Sequence, residues 1–196
     1  MMGGKKREDK DMNHPLTTKQ IAAVAMGVAL IAVCAWISIP ATVPFTLQTF
    51  AVCLVAALLG LRQGAWAVVC YILLGAVGAP VFSGFRGGAG ALLGTTGGYI
   101  VGFLFTALLV GFFVEKWGRR LPVLIAAMAL GVLVCYAFGT AWFVVVYAKN
   151  SGPIGVGTAL VWCVIPYLIP DGIKIVLAAV LTGRLYPILN RGRETC

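Results

Sequence analysis

The sequence predicts an all-α integral membrane protein of six transmembrane helices with both termini in the cytoplasm. Three observations carry that expectation. Of the 196 residues, 61% are hydrophobic and only 11% charged, whereas a soluble domain carries about 25% charged residues. The apolar residues gather into blocks long enough to cross a bilayer. The basic residues fall in the gaps between those blocks, with a bias to one side.

Residues 21 to 39 run IAAVAMGVALIAVCAWISI without a charge, close to the roughly 20 residues that a spanning helix needs. Further apolar blocks follow at about 47 to 61, 64 to 80, 97 to 114, 121 to 148 and 170 to 189. Lys5, Lys6, Arg7, Lys10 and Lys19 precede the first block, and Arg62 parts the second from the third. Lys116, Arg119 and Arg120 part the fourth from the fifth, and Arg184, Arg191 and Arg193 lie towards the end. All of these fall on one side, while Arg86 and Lys149 fall on the other. The positive-inside rule assigns the first side to the cytoplasm.

The net charge of +9 is therefore topological, and its scatter through loops argues against nucleic-acid binding. Residues 1 to 19 read as a flexible polar tail, 20 to 189 as one transmembrane domain, and 190 to 196 as a short cytoplasmic tail. The first block is longer than the apolar core of a signal peptide and lacks a small-x-small cleavage site, so it reads as a retained helix. Six cysteines show no C-x-x-C pair, and the one histidine, His14, is remote from them. They predict apolar packing rather than a metal or redox centre.

Taken in order, the first helix presents Ala25 and Ala29 four residues apart, a face that lets another helix approach closely. That face serves either packing within the chain or docking of a separate membrane partner. Pro40 and Pro44 then interrupt helix formation, and the following Phe45-Thr46-Leu47-Gln48 carries hydroxyl and amide groups that are costly against hydrocarbon. This segment predicts a lining for a wet or ligand-filled space, or a loop at the headgroups. Residues 83 to 98, SGFRGGAGALLGTTGG, hold seven glycines and one charge, Arg86. Their spacing misses the dinucleotide fingerprint and no βαβ context surrounds them, so they predict an outer loop able to fold over a cavity. Gly94, Gly98 and Gly102 predict a close-packing face on the fourth span. The fifth span is long enough to tilt. Residues 157 to 168 are too few to span and contain Pro166, so they predict a short helix at the outer face.

The last block opens on Leu168-Ile169-Pro170-Asp171-Gly172-Ile173-Lys174. Pro170 suits a helix start, which would place Asp171 in the first turn, where the helix dipole favours an anion. Lys174 has no such explanation, because a cation within the membrane costs about 2.5 to 3.5 kcal/mol on insertion scales. The two share a helix face, so they either pair internally or meet a polar ligand. A catalytic reading finds no second acid and no nucleophile with a base inside the spans.

The run Val43 to Phe103, with PFTLQ, LLGAVGAPVF and TGGY in that order and spacing, resembles the biotin transporter BioY family. Its members are substrate-binding S components of energy-coupling factor (ECF) transporters. Pro170-Asp171-Gly172-Ile173-Lys174 is similar to the family's P-x-D-x-x-K pattern, with the aspartate moved next to proline. The resemblance covers about residues 20 to 185. It implies an S-component-like bundle in the cell membrane that takes up biotin without catalysing a reaction or holding a cofactor or metal. It also implies as partners an ECF transmembrane coupling protein and two ATPase subunits, with Ala25 and Ala29 the candidate docking face. The chain lacks a G-x-x-x-x-G-K-[ST] motif of its own. A solitary homo-oligomer stays open. Phe45, Phe82 and Tyr99 are the expected apolar wall. Asp171 is the expected acceptor for the ureido N–H groups, Lys174 or Arg86 the partner of the carboxylate, and Thr46 and Gln48 further polar contacts. The alternatives are an S component for another vitamin and a membrane scaffold that transports nothing.

Overall fold

The computed structural model describes residues 17–40 and 43–194. The chain enters at Thr17, whose side chain caps the first helix, α1 (Thr18–Trp36). Gln20 N–H donates to the Thr17 hydroxyl at 3.4 Å, and Thr17 N–H donates back to the Gln20 side chain at 2.8 Å. This reciprocal box satisfies two backbone donors that a helix start leaves without partners. Val24, Val28, Ile31 and Ala35 form the buried stripe of α1 at helical spacing. Ala25 and Ala29 lie on the uncovered face.

After α1, strand β1 (Ser38–Ile39) pairs antiparallel with β2 (Phe45–Thr46), Ser38 opposite Thr46 and Ile39 opposite Phe45. The loop expected here is thus partly a ribbon, kept short by the flanking Pro40 and Pro44, which cannot donate to a ladder. Ala41 and Thr42, and the predicted tail up to residue 16, lie outside the described residues.

The next element, α2 (Gln48–Ala76), is assigned as one helix of 29 residues but contains a break at Gly60, φ 80° and ψ −174°. A straight helix would hold Gln48 and Tyr71 about 34 Å apart, yet the Gln48 amide donates to the Tyr71 hydroxyl at 2.9 Å. The chain therefore folds back at Gly60. The blocks expected as separate spans at 47 to 61 and 64 to 80 are the two arms of this element, and the reversal falls two residues before Arg62. Its backbone has a left-handed φ that glycine tolerates.

A glycine-rich loop containing the short α3 (Ala89–Leu93) leads to α4 (Gly97–Trp117), followed by α5 (Leu121–Ser151), α6 (Val156–Cys163) and α7 (Ile165–Glu194). Gly98 and Gly102 on α4 do form a close-packing face: a β-carbon on Gly98 would lie 2.2 Å from the Trp142 side chain. Gly94 takes a different role, its carbonyl accepting the Trp142 indole N–H at 3.0 Å. The Thr106 hydroxyl adds a polar tie, donating to the Gly131 carbonyl at 2.9 Å across the same interface. α5, at 31 residues, is about 46 Å long and exceeds the bilayer's roughly 30 Å apolar core.

The short outer helix expected over 157 to 168 ends at Cys163, and α7 begins at Ile165 rather than at Pro170. Pro166 is tolerated in a first turn, while Pro170 lies inside the helix and leaves the Pro166 carbonyl without its helical N–H. α7 then runs to Glu194, past residue 189.

Among the described residues, five helical elements, α1, α2, α4, α5 and α7, are long and apolar enough to cross a membrane, with the folded-back α2 counted as one. This is a multi-pass membrane protein. The two faces of α7 differ sharply: Ile169 is 79% exposed and Ile173 58%, while Asp171 and Lys174 are 4% and 5% exposed. The apolar face looks outward and both charges look in.

Candidate functional site

At one end of the bundle, the first arm of α2, the start of α4, the middle of α5 and the start of α7 surround a cavity roofed by residues 43–46 and 82–86. Its free space of about 80 Å³ is several times what one water molecule requires. Most of the wall is apolar, including Val43, Phe82, Ile100, Phe103 and Val132.

Asp171 and Lys174 both reach this cavity. Because α7 starts earlier than the sequence suggested, Asp171 lies in its second turn, and helix capping does not explain it. The Lys174 ammonium donates to Asp171 Oδ1 at 2.7 Å and to the Thr46 carbonyl at 2.6 Å. It also lies 3.9 Å from the centroid of the Phe45 ring, a cation–π geometry. Asp171 Oδ2 accepts from the Tyr136 hydroxyl. The internal ion pair is thus formed, and it faces the cavity as well. With charge, hydrogen bonds and an aromatic face all engaged, neither group is left alone in a low-dielectric interior, where a buried charge is expensive.

Seven of the eight expected site residues line the same space: Thr46, Gln48, Phe82, Arg86, Tyr99, Asp171 and Lys174. Phe45 is the exception. Its ring stacks on Tyr167 with centroids 6.1 Å apart and lies beneath the Lys174 ammonium, so it supports the cation from behind. Thr46 is committed to ordering backbone, its hydroxyl accepting Gln48 N–H at 3.2 Å and its carbonyl accepting Lys174. Gln48 is anchored through its amide nitrogen to Tyr71, whose hydroxyl donates onward to the Val81 carbonyl at 3.0 Å. Among the described residues the Gln48 carbonyl oxygen accepts no hydrogen bond, which leaves it for the cavity. Tyr99 bonds Thr140 at 3.0 Å.

Arg86 reaches the cavity from the loop. Its Nε donates to the Ser83 carbonyl at 3.1 Å, and among the described residues its terminal nitrogens meet no acceptor. The cavity therefore carries one acidic and two basic side chains. Since Asp171 and Lys174 compensate each other, the unmatched positive charge is that of Arg86, and the site suits a ligand with a single negative group.

Three tyrosines escape the sequence reading. Tyr136 holds Asp171, Tyr167 donates to the Val43 carbonyl, and Tyr71 links Gln48 to the loop. Cys135 and Cys163 also line the wall. Burial pushes the Cys163 thiol above its ordinary pKa, so it presents a neutral apolar surface. Among the described residues, no group of three side chains with metal-binding chemistry gathers.

A family model described as the BioY family matches residues 8–191. The chain belongs to the BioY family. It is 40% identical over 168 residues to a biotin transporter BioY of Thermotoga maritima, covering 85% of this chain and 95% of that protein. A probable biotin transporter BioY of Pyrococcus horikoshii is 36% identical over 171 residues, covering 87% and 98%. Among solved structures, the crystal structure of the S component for biotin from an ECF-type ABC transporter superposes with a TM-score of 0.78. That match has 29% sequence identity and covers 87% of this chain and 94% of the solved one. The bundle is thus an ECF S-component fold, as its sequence resemblance implies.

Proposed function

We propose that this chain captures biotin in the cavity described above and carries it across the cell membrane as the S component of an ECF transporter. The observation that carries the reading is the charge arrangement of an otherwise apolar pocket. A neutralised Asp171–Lys174 pair lies at one wall, and a guanidinium with free donors lies at the mouth.

Biotin has matching parts. Its fused rings and aliphatic arm fit a wall of Phe82, Tyr99, Ile100 and Phe103. Its ureido group offers two N–H donors, for which the Gln48 carbonyl oxygen and the remaining lone pairs of Asp171 are acceptors. Its carboxylate falls to Arg86, because Lys174 already donates to two oxygens and lies over a ring. Arg86 is also able to bind a carboxylate through two parallel hydrogen bonds.

Arg62, Lys116, Arg119, Arg120 and Arg184 lie at the end of the bundle opposite the cavity. The positive-inside rule places that end, with both termini, in the cytoplasm and opens the cavity outward. The uncovered Ala25 and Ala29 of α1 are the proposed face for a transmembrane coupling protein, which two ATPase subunits would drive. This chain supplies recognition, and ATP hydrolysis is supplied by those partners.

Purified protein should bind radiolabelled biotin saturably, with unlabelled biotin competing and thiamine or riboflavin failing to compete. Arg86→Ala should weaken binding by about 10- to 100-fold, the usual loss for a charge-assisted hydrogen bond. Absence of saturable biotin binding by the unaltered protein would overturn the reading. Normal affinity in Arg86→Ala would reassign the carboxylate.

A further inference from the structure

The loop that brings Arg86 and Phe82 to the cavity is strapped from outside the site. At its near end the Trp36 indole N–H, on the last residue of α1, donates to the Pro80 carbonyl at 2.8 Å. The same indole stacks on Phe85 with ring centroids 5.1 Å apart and planes at 25°. At the far end the Trp142 indole N–H holds the Gly94 carbonyl. Two indoles thus grip two loop carbonyls from outside the site, while Tyr71 holds the Val81 carbonyl and the Gly75 carbonyl accepts Gly88 N–H at 2.7 Å from within the bundle.

The backbone between the ties is bent in a way that makes the near one consequential. Phe85 has φ 56°, in the left-handed region that bulky side chains rarely adopt. That turn sends the Phe85 ring outward onto Trp36. Its neighbours go the other way: Phe82 is 2% exposed, packed edge-on against Tyr71 with centroids 5.5 Å apart, and Arg86 lines the cavity. Phe82 N–H donates to the Arg86 carbonyl at 3.0 Å, closing the turn. A strained conformation of this kind persists only where its surroundings hold it; here the Phe82–Arg86 hydrogen bond holds the turn from within and the Trp36 stack holds the Phe85 ring from outside.

We infer that Trp36, through Phe85 and Pro80, is a positioning residue for ligand retention: it latches the Arg86 loop in its closed place and so sets how slowly a bound ligand leaves. Trp36 itself does not line the cavity. The inference rests on biotin being that ligand. If ligand enters before the loop settles, weakening the latch raises the dissociation rate and leaves the association rate nearly unchanged, since a latch stabilises only the closed complex.

The test is the dissociation rate of radiolabelled biotin from purified protein after a chase with unlabelled biotin, with the association rate measured alongside. Trp36→Ala and Phe85→Ala should each speed dissociation on the order of tenfold, from loss of the stack and, for Trp36→Ala, of the N–H donor. Trp36→Phe keeps a ring but no donor and should fall between Trp36→Ala and the unaltered protein. The double variant should dissociate no faster than Trp36→Ala, because both changes break one latch. A tryptophan of merely structural value would lower the melting temperature or the fraction of active protein and leave the dissociation rate where it was. Unchanged dissociation in Phe85→Ala and Trp36→Phe, in protein that binds biotin normally before alteration, overturns the latch and leaves the proposed function standing. Failure of the unaltered protein to bind biotin overturns both.

Discussion

The two ends of the bundle each use an acid and a base to hold irregular backbone, but only one end keeps those charges beside free space. At the Gly60 turn, Glu115 Oε1 accepts the Leu61 N–H at 2.8 Å, and Arg119 Nε donates to the Ala57 carbonyl at 2.8 Å. The Arg119 guanidinium also stacks over the Tyr186 ring, 3.7 Å from its centroid. This clamp fastens the α2 reversal to the end of α4 and to α7. At the cavity end, Lys174 likewise holds a backbone carbonyl, that of Thr46, and Asp171 holds Lys174. Here the pair also lines the pocket. A charged residue fixing a loop is architecture at one end. At the other, the same device doubles as a polar wall.

The largest contrast should come from breaking the cavity pair unevenly. Lys174→Met leaves Asp171 buried with one partner fewer, and removing one member of a buried ion pair costs about 3 to 5 kcal/mol. Biotin affinity should fall by at least about a hundredfold through the displaced Thr46 loop and altered pocket charge. Adding Asp171→Asn should recover most of the stability, because exchanging a whole buried pair for neutral groups is often tolerated. It should recover none of the binding. Thermal unfolding and biotin titration of the single and double variants separate the two effects. Joint recovery of affinity and stability would reduce the pair to the same architectural role as the Glu115 clamp.

Tyr136→Phe is a milder probe of the same wall. It removes one hydrogen bond to Asp171 Oδ2 while keeping the ring, so affinity should weaken by about tenfold, as for one hydrogen bond to a charged group. Unchanged affinity in a titration of this variant would separate Asp171 from ligand recognition.

How much of this was legible in the sequence follows from what each signal depends on. Hydropathy marked the membrane-crossing segments, because lipid acts on local composition. Asp171, Lys174 and Arg86 stood out since charges are scarce in apolar surroundings. The turn at Gly60 was displaced to Arg62, because a tight reversal at a membrane edge needs a positive φ more than it needs charge. Pro170 suggested the start of the last helix, but α7 absorbs it and starts at Ile165, since Pro166 lies in the first turn. Tyr136, Tyr167 and Tyr71 gave no signal. A tyrosine in an apolar helix looks like packing until helix pairing shows that Tyr136 meets an acid 35 residues away and that Tyr167 reaches a carbonyl 124 residues back.

The smallest effect on binding, and so the sharpest control, belongs to Glu115. Glu115→Ala removes the acceptor of Leu61 N–H beside a turn that only glycine fits easily, and should lower stability by about 1 kcal/mol, the net worth of an ordinary hydrogen bond. Glu115→Gln keeps a side-chain oxygen at that distance and should restore most of the loss, because the contact is to a backbone N–H rather than to a charge. In both variants biotin affinity should stay within about threefold of the unaltered protein, since the clamp lies at the other end of helices that pack as rigid elements. Paired melting and binding measurements decide the point. A tenfold change in affinity from Glu115→Ala alone would mean that the Gly60 turn and the pocket move together, and the division between an architectural end and a recognising end would fail.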